Sequence, residues 1–430
     1  MSLTVRSLAA IEILDSRGHP TLEVRAELSD GVTAAAQVPS GASRGRHEAL
    51  ELRDEDPARY QGRGVLKAAA NVNSLLNDGM AGLPASDQTA VDRRLREIDG
   101  TPNKAWIGAN AILGASCALA RAVARSRRIP LWSYLAGERK PSVPLPMINI
   151  LSGGHHAGHR FEIQDFMIIP HGFATYSEAL HAAAAVHHSA RAVLESRGYL
   201  LTGLADEGGW GPALESNAAG LDCLMQAIER AGYVPGVEVS IAIDVAATHF
   251  FEHGLYHLRS EQLLLNATEL GEMLAEWSRR YPVITLEDPL AEDDWDDWQA
   301  LSRALGQRLQ LVGDDLFTTN PVRLERGIRA GVANAVLVKM NQIGTLSETF
   351  EVIDLAARSG YLAVISARSG ETEDRFLADL AVASAAGQIK VGSVSRSERM
   401  AKYNRLLEIE ASGRVPYAGA SALRRFIRPV

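Results

Sequence analysis

The chain has 430 residues, 46% hydrophobic and 22% charged, the make-up of an ordinary folded protein; a disordered tail or a fibrous repeat is excluded as its theme. Such a length allows two or three domains. Lys and Arg number 44 against 52 Asp and Glu, a net charge of −8, which argues against wrapping a polyanion while leaving room for a local basic pocket. Two cysteines, Cys117 and Cys223, cannot build a disulfide framework and lack zinc-ligand spacing, so a reducing compartment fits. Glu12 and Asp15 interrupt the N-terminus before a signal-peptide core develops, and no uncharged apolar run reaches membrane-spanning length. The expectation is a soluble, cytoplasmic protein with neither nucleic acid nor membrane as partner.

Residues 3–38 read as three short strands with turns between them, Asp30-Gly31 supplying a hairpin signal and an antiparallel start. Helical stretches follow at 64–80 and 109–126, and Pro130, Pro141, Pro144 and Pro146 then break regular structure. A boundary near 138–142 divides the chain into a smaller α+β domain, 1–138, and a second domain, 142–430. There the rhythm changes to compact apolar strands, each ending in a polar residue and followed by a helix-like segment. EVSIAID, PVITLED, LQLVGDD, ANAVLVK, YLAVIS and QIKVG place Asp244, Glu287, Asp314, Lys339, Ser366 and Lys390 at or near their ends. After a first interval of 43 residues these positions recur every 24–27, the period of a βα unit. Apolar spacing through 347–360, with Gly360 near its end, reads as one of the intervening helices. Charge at strand end after strand end favours a closed α/β barrel, which gathers those ends at one mouth, over an open sheet. No phosphate-binding glycine motif follows the first strand, so no nicotinamide cofactor is expected.

Asp244, Glu287 and Asp314 at one mouth would repel one another unless a hard cation such as Mg²⁺ compensated them. Helix capping or surface solvation is the competing reading. Lys339 ends an apolar strand beside them, where burial and a cation would favour the neutral amine a general base needs; an ion pair across the mouth is the alternative. Arg368, Ser369 and Lys390 suit a phosphoryl or carboxylate ligand, or an ion-pair network. GLADEGGWGP, 203–212, puts Asp206 and Glu207 in a Gly-rich loop that could equally be only a turn. GGHHAGHRFEIQDFMI holds His155, His156, His159 and Asp165; the oxygen-rich carboxylate set makes these histidines substrate or proton-transfer groups rather than zinc ligands, with a surface loop as the alternative for His155 and His159.

A lysine base facing carboxylates and Mg²⁺ suits proton abstraction alpha to a carboxylate, and the sequence resembles the enolase family, whose superfamily is the type case of that chemistry. The matching stretches are SGASRGRHEALELRD, NAILGAS, the GG…HAG…QDFMI run, ADEGGWGP, IAIDVAAT, LEDPLAEDDW, VGDDLFTTNP, KMNQIGTL, RSGETED, GQIKVGS and SRSERMAKYN, spread over nearly the whole chain. The resemblance implies an enolase-type (βα)8-like barrel with an antiparallel start, a smaller N-terminal α+β domain, one or two Mg²⁺ per subunit, and a homodimer or an assembly of dimers. Residue by residue, it implies that Asp244, Glu287 and Asp314 hold the first Mg²⁺ and that Ser40 helps cover a second. Lys339 would take the alpha proton, and Glu207, with Asp165 beside it, would help expel the beta hydroxyl. Arg368 and Ser369 would hold phosphate and Lys390 the carboxylate, with His156 closing on the phosphate side and Gln164 lining the pocket.

Several positions depart from the family's pattern. Ala367 stands where a histidine is usual, Asp165 where Glu is usual, and Arg44 where Thr is usual; His155 and His159 are additional in their loop, Trp210 replaces Phe and Ala205 replaces Gly. These changes collect around the ligand: loss of an imidazole at 367 makes room, while Arg44, His155 and His159 add donors or positive charge. The expectation is therefore a specialised paralogue resembling carboxyphosphonoenolpyruvate synthase, handling 2-phosphoglycerate, phosphoenolpyruvate or a phosphonate relative in phosphonate and antibiotic biosynthesis. It would join a phosphonoformyl unit from an activated nucleotide donor to a phosphoenolpyruvate-type acceptor. The alternatives are an ordinary phosphopyruvate hydratase and a non-catalytic binding protein on the same scaffold.

Overall fold

A computed structural model describes residues 3–41, 45–158, 161–201 and 203–427. The expectations for Arg44 and His159 lie outside the described residues. The N-terminal strands β1 (Val5–Leu14), β2 (Pro20–Leu28) and β3 (Thr33–Gln37) form the antiparallel meander their alternation and turn signals called for. Gly31 takes φ 84 in the β2–β3 turn, where the Leu28 and Val32 main chains close at 3.0 Å. Leu22, Val24, Ala26 and Leu28 turn inward, and the sheet packs against the helix Ala109–Ser126. The other expected helical stretch is Leu66–Met80 with a π turn over Val72–Leu76.

The larger part is a closed barrel. It begins with β4 (Leu145–Ser152), β5 (Asp165–Ile169) and β6 (Ser240–Asp244). A small antiparallel sheet of β7 (Phe251–Glu252), β8 (Leu255–Leu258) and β9 (Leu263–Leu265) follows. The barrel then continues through β10 (Val283–Glu287), β11 (Gln310–Gly313), β12 (Ala335–Val338), β13 (Leu362–Ser366) and β14 (Gln388–Gly392), which closes on β4. All neighbours are parallel except β5, which is antiparallel to both β4 and β6. Continuous apolar runs such as the Ala335–Val338 strand are buried on both faces, each large side chain contributing about 1.5–3 kcal/mol. Met147, Met167, Ala242, Ile284, Val312, Leu337 and Val364 form an inner core with Leu423 and Phe426.

The six polar-ended strands lie where the sequence placed them, whereas β4 passes through the proline run read as irregular. Leu145 donates to Gly387 on the β14 side at 2.8 Å, so the missing N–H of Pro146 would face β5, whose pairing starts only at Ile148. The proline therefore costs no ladder bond. The N-terminal part reaches over the barrel mouth, where Ser40 and Gly370 exchange two main-chain hydrogen bonds of 2.8 and 2.9 Å. A Cβ at Gly370 would lie 2.5 Å from the Ser40 carbonyl oxygen, so only glycine permits that approach. Among the described residues no helix is long and apolar enough to cross a membrane.

Candidate active site

The C-terminal ends of the parallel strands converge on one narrow pocket. His156, Gln164, Glu207, Asp244, Asp314, Lys339, Ala367, Arg368, Ser369 and Lys390 all line it. Two lysines divide the carboxylates between them. Lys390 Nζ donates to Asp244 Oδ2 at 2.8 Å and to both Glu287 oxygens at 2.8 Å, which brings Glu287 into the cluster. Burial opposes charge on this lysine, yet Asp244 and Glu287 outweigh it and hold the ammonium. Burial and Asp244 push Glu287 in the opposite direction, toward the protonated form. The bidentate contact to Lys390 fits the ionised carboxylate, and that geometry is the better guide to the pair.

Lys339 Nζ donates to Asp314 Oδ2, and Gln342 Nε2 reaches Asp314 Oδ1 at 3.0 Å. Against the effect of burial, Asp314 raises the Lys339 pKa, and Lys339 in turn lowers that of Asp314. The pairing with Asp314 thus favours the ammonium, while burial favours the neutral amine. Asp288, next to Glu287, accepts the N–H groups of Asp314 at 2.9 Å and Asp315 at 2.8 Å. It fastens β11 to β10 and fixes the backbone from which Asp314 projects.

A second group sits on the β4–β5 side. His156 Nδ1 contacts Asp165 Oδ2 at 2.9 Å, and its Nε2 is 3.9 Å from Glu207 Oε1. Asp165 is fully buried and also accepts from Asn149 at 2.6 Å and Ser152 at 2.8 Å. Burial alone would lower the His156 pKa, but the charges of Asp165 and Glu207 hold it up to about 9, so the imidazole is protonated at neutral pH. Glu207 is driven up by burial and more strongly down by His156, Arg399 and Lys390, leaving it ionised. The glycine-rich loop is thus more than a turn: Trp210 bridges to Ile150 and Ser152, and Ser393 N–H binds the Glu207 carbonyl at 2.8 Å.

At the rim, Arg368 donates from Nη1 to Glu48 Oε2 and Asn341 Oδ1, both at 3.0 Å, and Ser369 Oγ accepts from Arg17 at 3.2 Å. Ser40 is not brought among the carboxylates; its hydroxyl takes a 2.8 Å bond from Arg53 and lines a neighbouring cleft with Arg17, His19 and Arg63. His155 is exposed, its ring meeting His249 edge-on at 4.3 Å. Glu48, Gln342 and Arg17 were not singled out from the sequence. The first two lie inside the SGASRGRHEALELRD and KMNQIGTL stretches, which was the available signal.

The donor chemistry suits a hard divalent cation. Asp244, Glu287 and Asp314 offer only oxygen, lysine ammonium groups balance their charge, and among the described residues the buried Gln164 Oε1 has no hydrogen-bond partner while its Nε2 is tied to Asp244 at 3.1 Å. Among the described residues, His156, Asp165 and Glu207 form one group with ligand atoms within 4.8 Å of one another, and Asp288, Asp314 and Asp315 another. This clustered acidic and histidine site is compatible with a divalent metal such as Mg²⁺.

A closed βα barrel whose mouth combines buried carboxylates, lysines and a histidine relay defines an enzyme with an acid–base site. Comparison with known proteins carries this further: the family model for the enolase C-terminal TIM barrel domain matches residues 140–426, and that for the enolase N-terminal domain matches residues 5–135. The sequence is 51% identical over 409 residues to the enolase of Helicobacter pylori strain J99, covering 95% of this chain and 96% of that relative. The chain belongs to the enolase family.

The continuity of this match corrects the expectation of a repurposed paralogue resembling carboxyphosphonoenolpyruvate synthase. The chain matches ordinary enolase through both domains, and the phosphonate and antibiotic-biosynthesis chemistry falls with that expectation. The site also supplies a physical reason. Asp165, though a methylene shorter, still meets His156 at hydrogen-bond distance, Ala367 is a buried residue whose N–H binds the Lys390 carbonyl at 2.9 Å, and His155 packs on His249.

Proposed function

We propose that this chain is a Mg²⁺-dependent phosphopyruvate hydratase, interconverting 2-phosphoglycerate with phosphoenolpyruvate and water. The observation that carries this reading is the presence of Lys339 and the His156–Glu207 pair in one pocket whose floor holds Asp244 and Asp314. Lys339 takes the proton from C2 of 2-phosphoglycerate, the C2–C3 double bond forms, and the C3–O bond breaks. His156, kept protonated, supplies through Glu207 the proton with which the departing hydroxide becomes water. Arg368 and Ser369 hold the phosphate and Lys390 the carboxylate, and Gln164 orients the substrate. His155 packs beside the pocket against His249. Asp244, Glu287 and Asp314 are the ligands proposed for one Mg²⁺, with Ser40 assigned to a second. The metal supplies charge compensation for the ene-diolate. A cation held by Asp314 would offset the attraction that favours the charged amine at Lys339, leaving burial to favour the neutral form a base needs.

Residues 1–138 cap the mouth built by 142–430 in this reading, and family membership supports a homodimer or an assembly of dimers, which light scattering measures. The enzymatic test follows phosphoenolpyruvate formation from 2-phosphoglycerate at saturating Mg²⁺, with Lys339→Ala as control for contaminating activity. Rapid, Lys339-dependent turnover is expected; folded, Mg²⁺-binding protein without turnover would overturn the proposal.

A further inference from the structure

Lys339 and Asp314 are joined by more than their ion pair. The Lys339 backbone N–H donates to Thr319 Oγ1 at 2.9 Å, the Thr319 hydroxyl donates to Gln342 Oε1 at 2.6 Å, and Gln342 Nε2 donates to Asp314 Oδ1 at 3.0 Å. Asp314 Oδ2, in turn, accepts from Lys339 Nζ, so the circuit closes on the residue where it began. Its direction is fixed by chemistry. An ionised carboxylate can only accept, so Gln342 must face Asp314 with its amide nitrogen and Thr319 with its oxygen; Thr319 must then give its single proton to Gln342 and receive the Lys339 N–H. Thr319 is fully buried and Gln342 is 1% exposed, so water cannot stand in for either.

The backbone of this segment is also strained. Thr318 and Thr319 adopt φ 47 and 52, left-handed values that β-branched residues rarely take and that cost on the order of 1–3 kcal/mol each. The same turn brings Thr318 N–H to the Asp314 carbonyl at 2.7 Å, holding Asp314 from its main chain while Gln342 holds it from its side chain. Strain of this kind persists only where the surroundings fix it, and here it aims one hydroxyl at the backbone of the proposed base. Gln342 lies on the first turn after Lys339, in the helix Met340–Ile343, so lysine and amide move as one body.

We propose that Thr319 and Gln342 are positioning residues for proton abstraction: they fix the Lys339 backbone and the second oxygen of Asp314 so that the amine has one line of approach to the substrate carbon. The inference rests on the proposed hydratase reading. A base displaced by about 1 Å loses about 100-fold in rate, whereas phosphate binding at Arg368 is untouched. The test compares Thr319→Val, which keeps the shape and removes the hydroxyl, with Thr319→Ser, which keeps the hydroxyl, and with Gln342→Met. Each is assayed with ordinary and C2-deuterated 2-phosphoglycerate, alongside its melting curve.

Expected are a fall in kcat of about 10- to 100-fold for Thr319→Val and Gln342→Met, KM within about threefold of wild type, and a larger deuterium isotope effect because proton transfer has become limiting. Thr319→Ser should recover most of kcat and return the isotope effect toward wild type. Folded Thr319→Val or Gln342→Met with wild-type kcat and isotope effect would overturn the inference, as would Thr319→Ser no better than Thr319→Val. Should Thr319→Val not fold, Gln342→Met carries the same prediction on its own melting curve. Absence of 2-phosphoglycerate turnover in wild type would instead sink the hydratase reading, so the two failures are distinguishable.

Discussion

Replacing Lys390 with Met tests the electrostatics of the barrel mouth with two readouts of opposite sign. The ammonium sits 2.8 Å from Asp244 and from both oxygens of Glu287, with 7% of the lysine side chain exposed. Lys390→Met keeps the length of the stem and leaves two buried carboxylates without their cation. Removing one partner of a buried pair costs about 3–5 kcal/mol, which should lower Tm by roughly 5–10 °C in EDTA. Mg²⁺ affinity should move the other way, because in wild type the cation must displace an ammonium from the same oxygens. A Kd lower by about tenfold corresponds to about 1.4 kcal/mol of extra stabilisation at saturating Mg²⁺. Without the Lys390 ammonium, burial and Asp244 push Glu287 up in the variant, above its unfolded value. Protonation therefore supports the fold at low pH, and that support is lost as pH rises through the window above about 4.5, so the variant's deficit in EDTA should widen with pH. Thermal melts in EDTA and in a Mg²⁺ series, with calorimetric Mg²⁺ titration, read all three effects. A variant as stable as wild type in EDTA, or one that binds Mg²⁺ no more tightly, would refute the assignment of Lys390 as the charge balance of the ion-free site.

Asp165→Asn should bring the His156 pKa down from about 9 by roughly a unit or more, since Asp165 supplies the largest charge opposing burial; an unchanged imidazole titration by NMR would remove Asp165 as its cause. The alkaline limb of the activity profile should shift to lower pH with it. His187, stacked on Trp210 with ring centroids 4.9 Å apart, is held by burial down to about 4, below its unfolded value. The stability tied to its neutral form is present above about pH 6.5 and lost as pH falls toward 4, a window it shares with His249. His187→Gln should flatten part of that loss, measured as urea midpoints at pH 7 and pH 5; a curve unchanged from wild type would exclude His187 as a contributor. Glu348→Ala strands buried Lys104, which it meets at 3.0 Å between the N-terminal part and a barrel helix, and should cost about 3–5 kcal/mol. Lys104→Met with Glu348→Leu should recover most of it, and a double variant as unstable as the single would contradict this account.

Much of the mouth was legible because a parallel barrel makes local sequence report a global place. A strand such as Val283–Glu287 is buried along its length, so a charged residue at its end needs a reason, and in a barrel every such end shares one mouth. β4 was hidden because a proline inside a strand reads as a breaker unless the side it faces is known to be unpaired at that point. Glu48, Gln342 and Thr319 were hidden for a different reason. Each is an unremarkable polar residue locally, and its role appears only when Arg368, Asp314 and Lys339 are placed beside it by long-range folding. The state of Lys339 was likewise beyond a reading of residue types, because it depends on which of two opposing effects, burial or Asp314, is the stronger.

The substitutions that suggested a repurposed pocket show how such changes should be weighed. A departure from a family pattern signals altered chemistry only if it breaks the contacts through which that position acts. Asp165 passes this test: its carboxylate reaches His156 at 2.9 Å, and Asn149 and Ser152 fix the other oxygen, so the loss of one methylene leaves the charge that keeps His156 protonated. Ala367 removes a side chain, but Arg368, Ser369 and Lys390 around it remain on the same pocket, and the loop keeps its main-chain bond to Lys390. Electrostatic coupling among Lys339, Asp314, Lys390, Asp244 and Glu287 is what proton abstraction at a carboxylate's alpha carbon requires, and all five residues are in place. Retained charge geometry therefore outweighs altered neighbours, which is why a chain with unusual residues at its rim still reads as an ordinary member of its family.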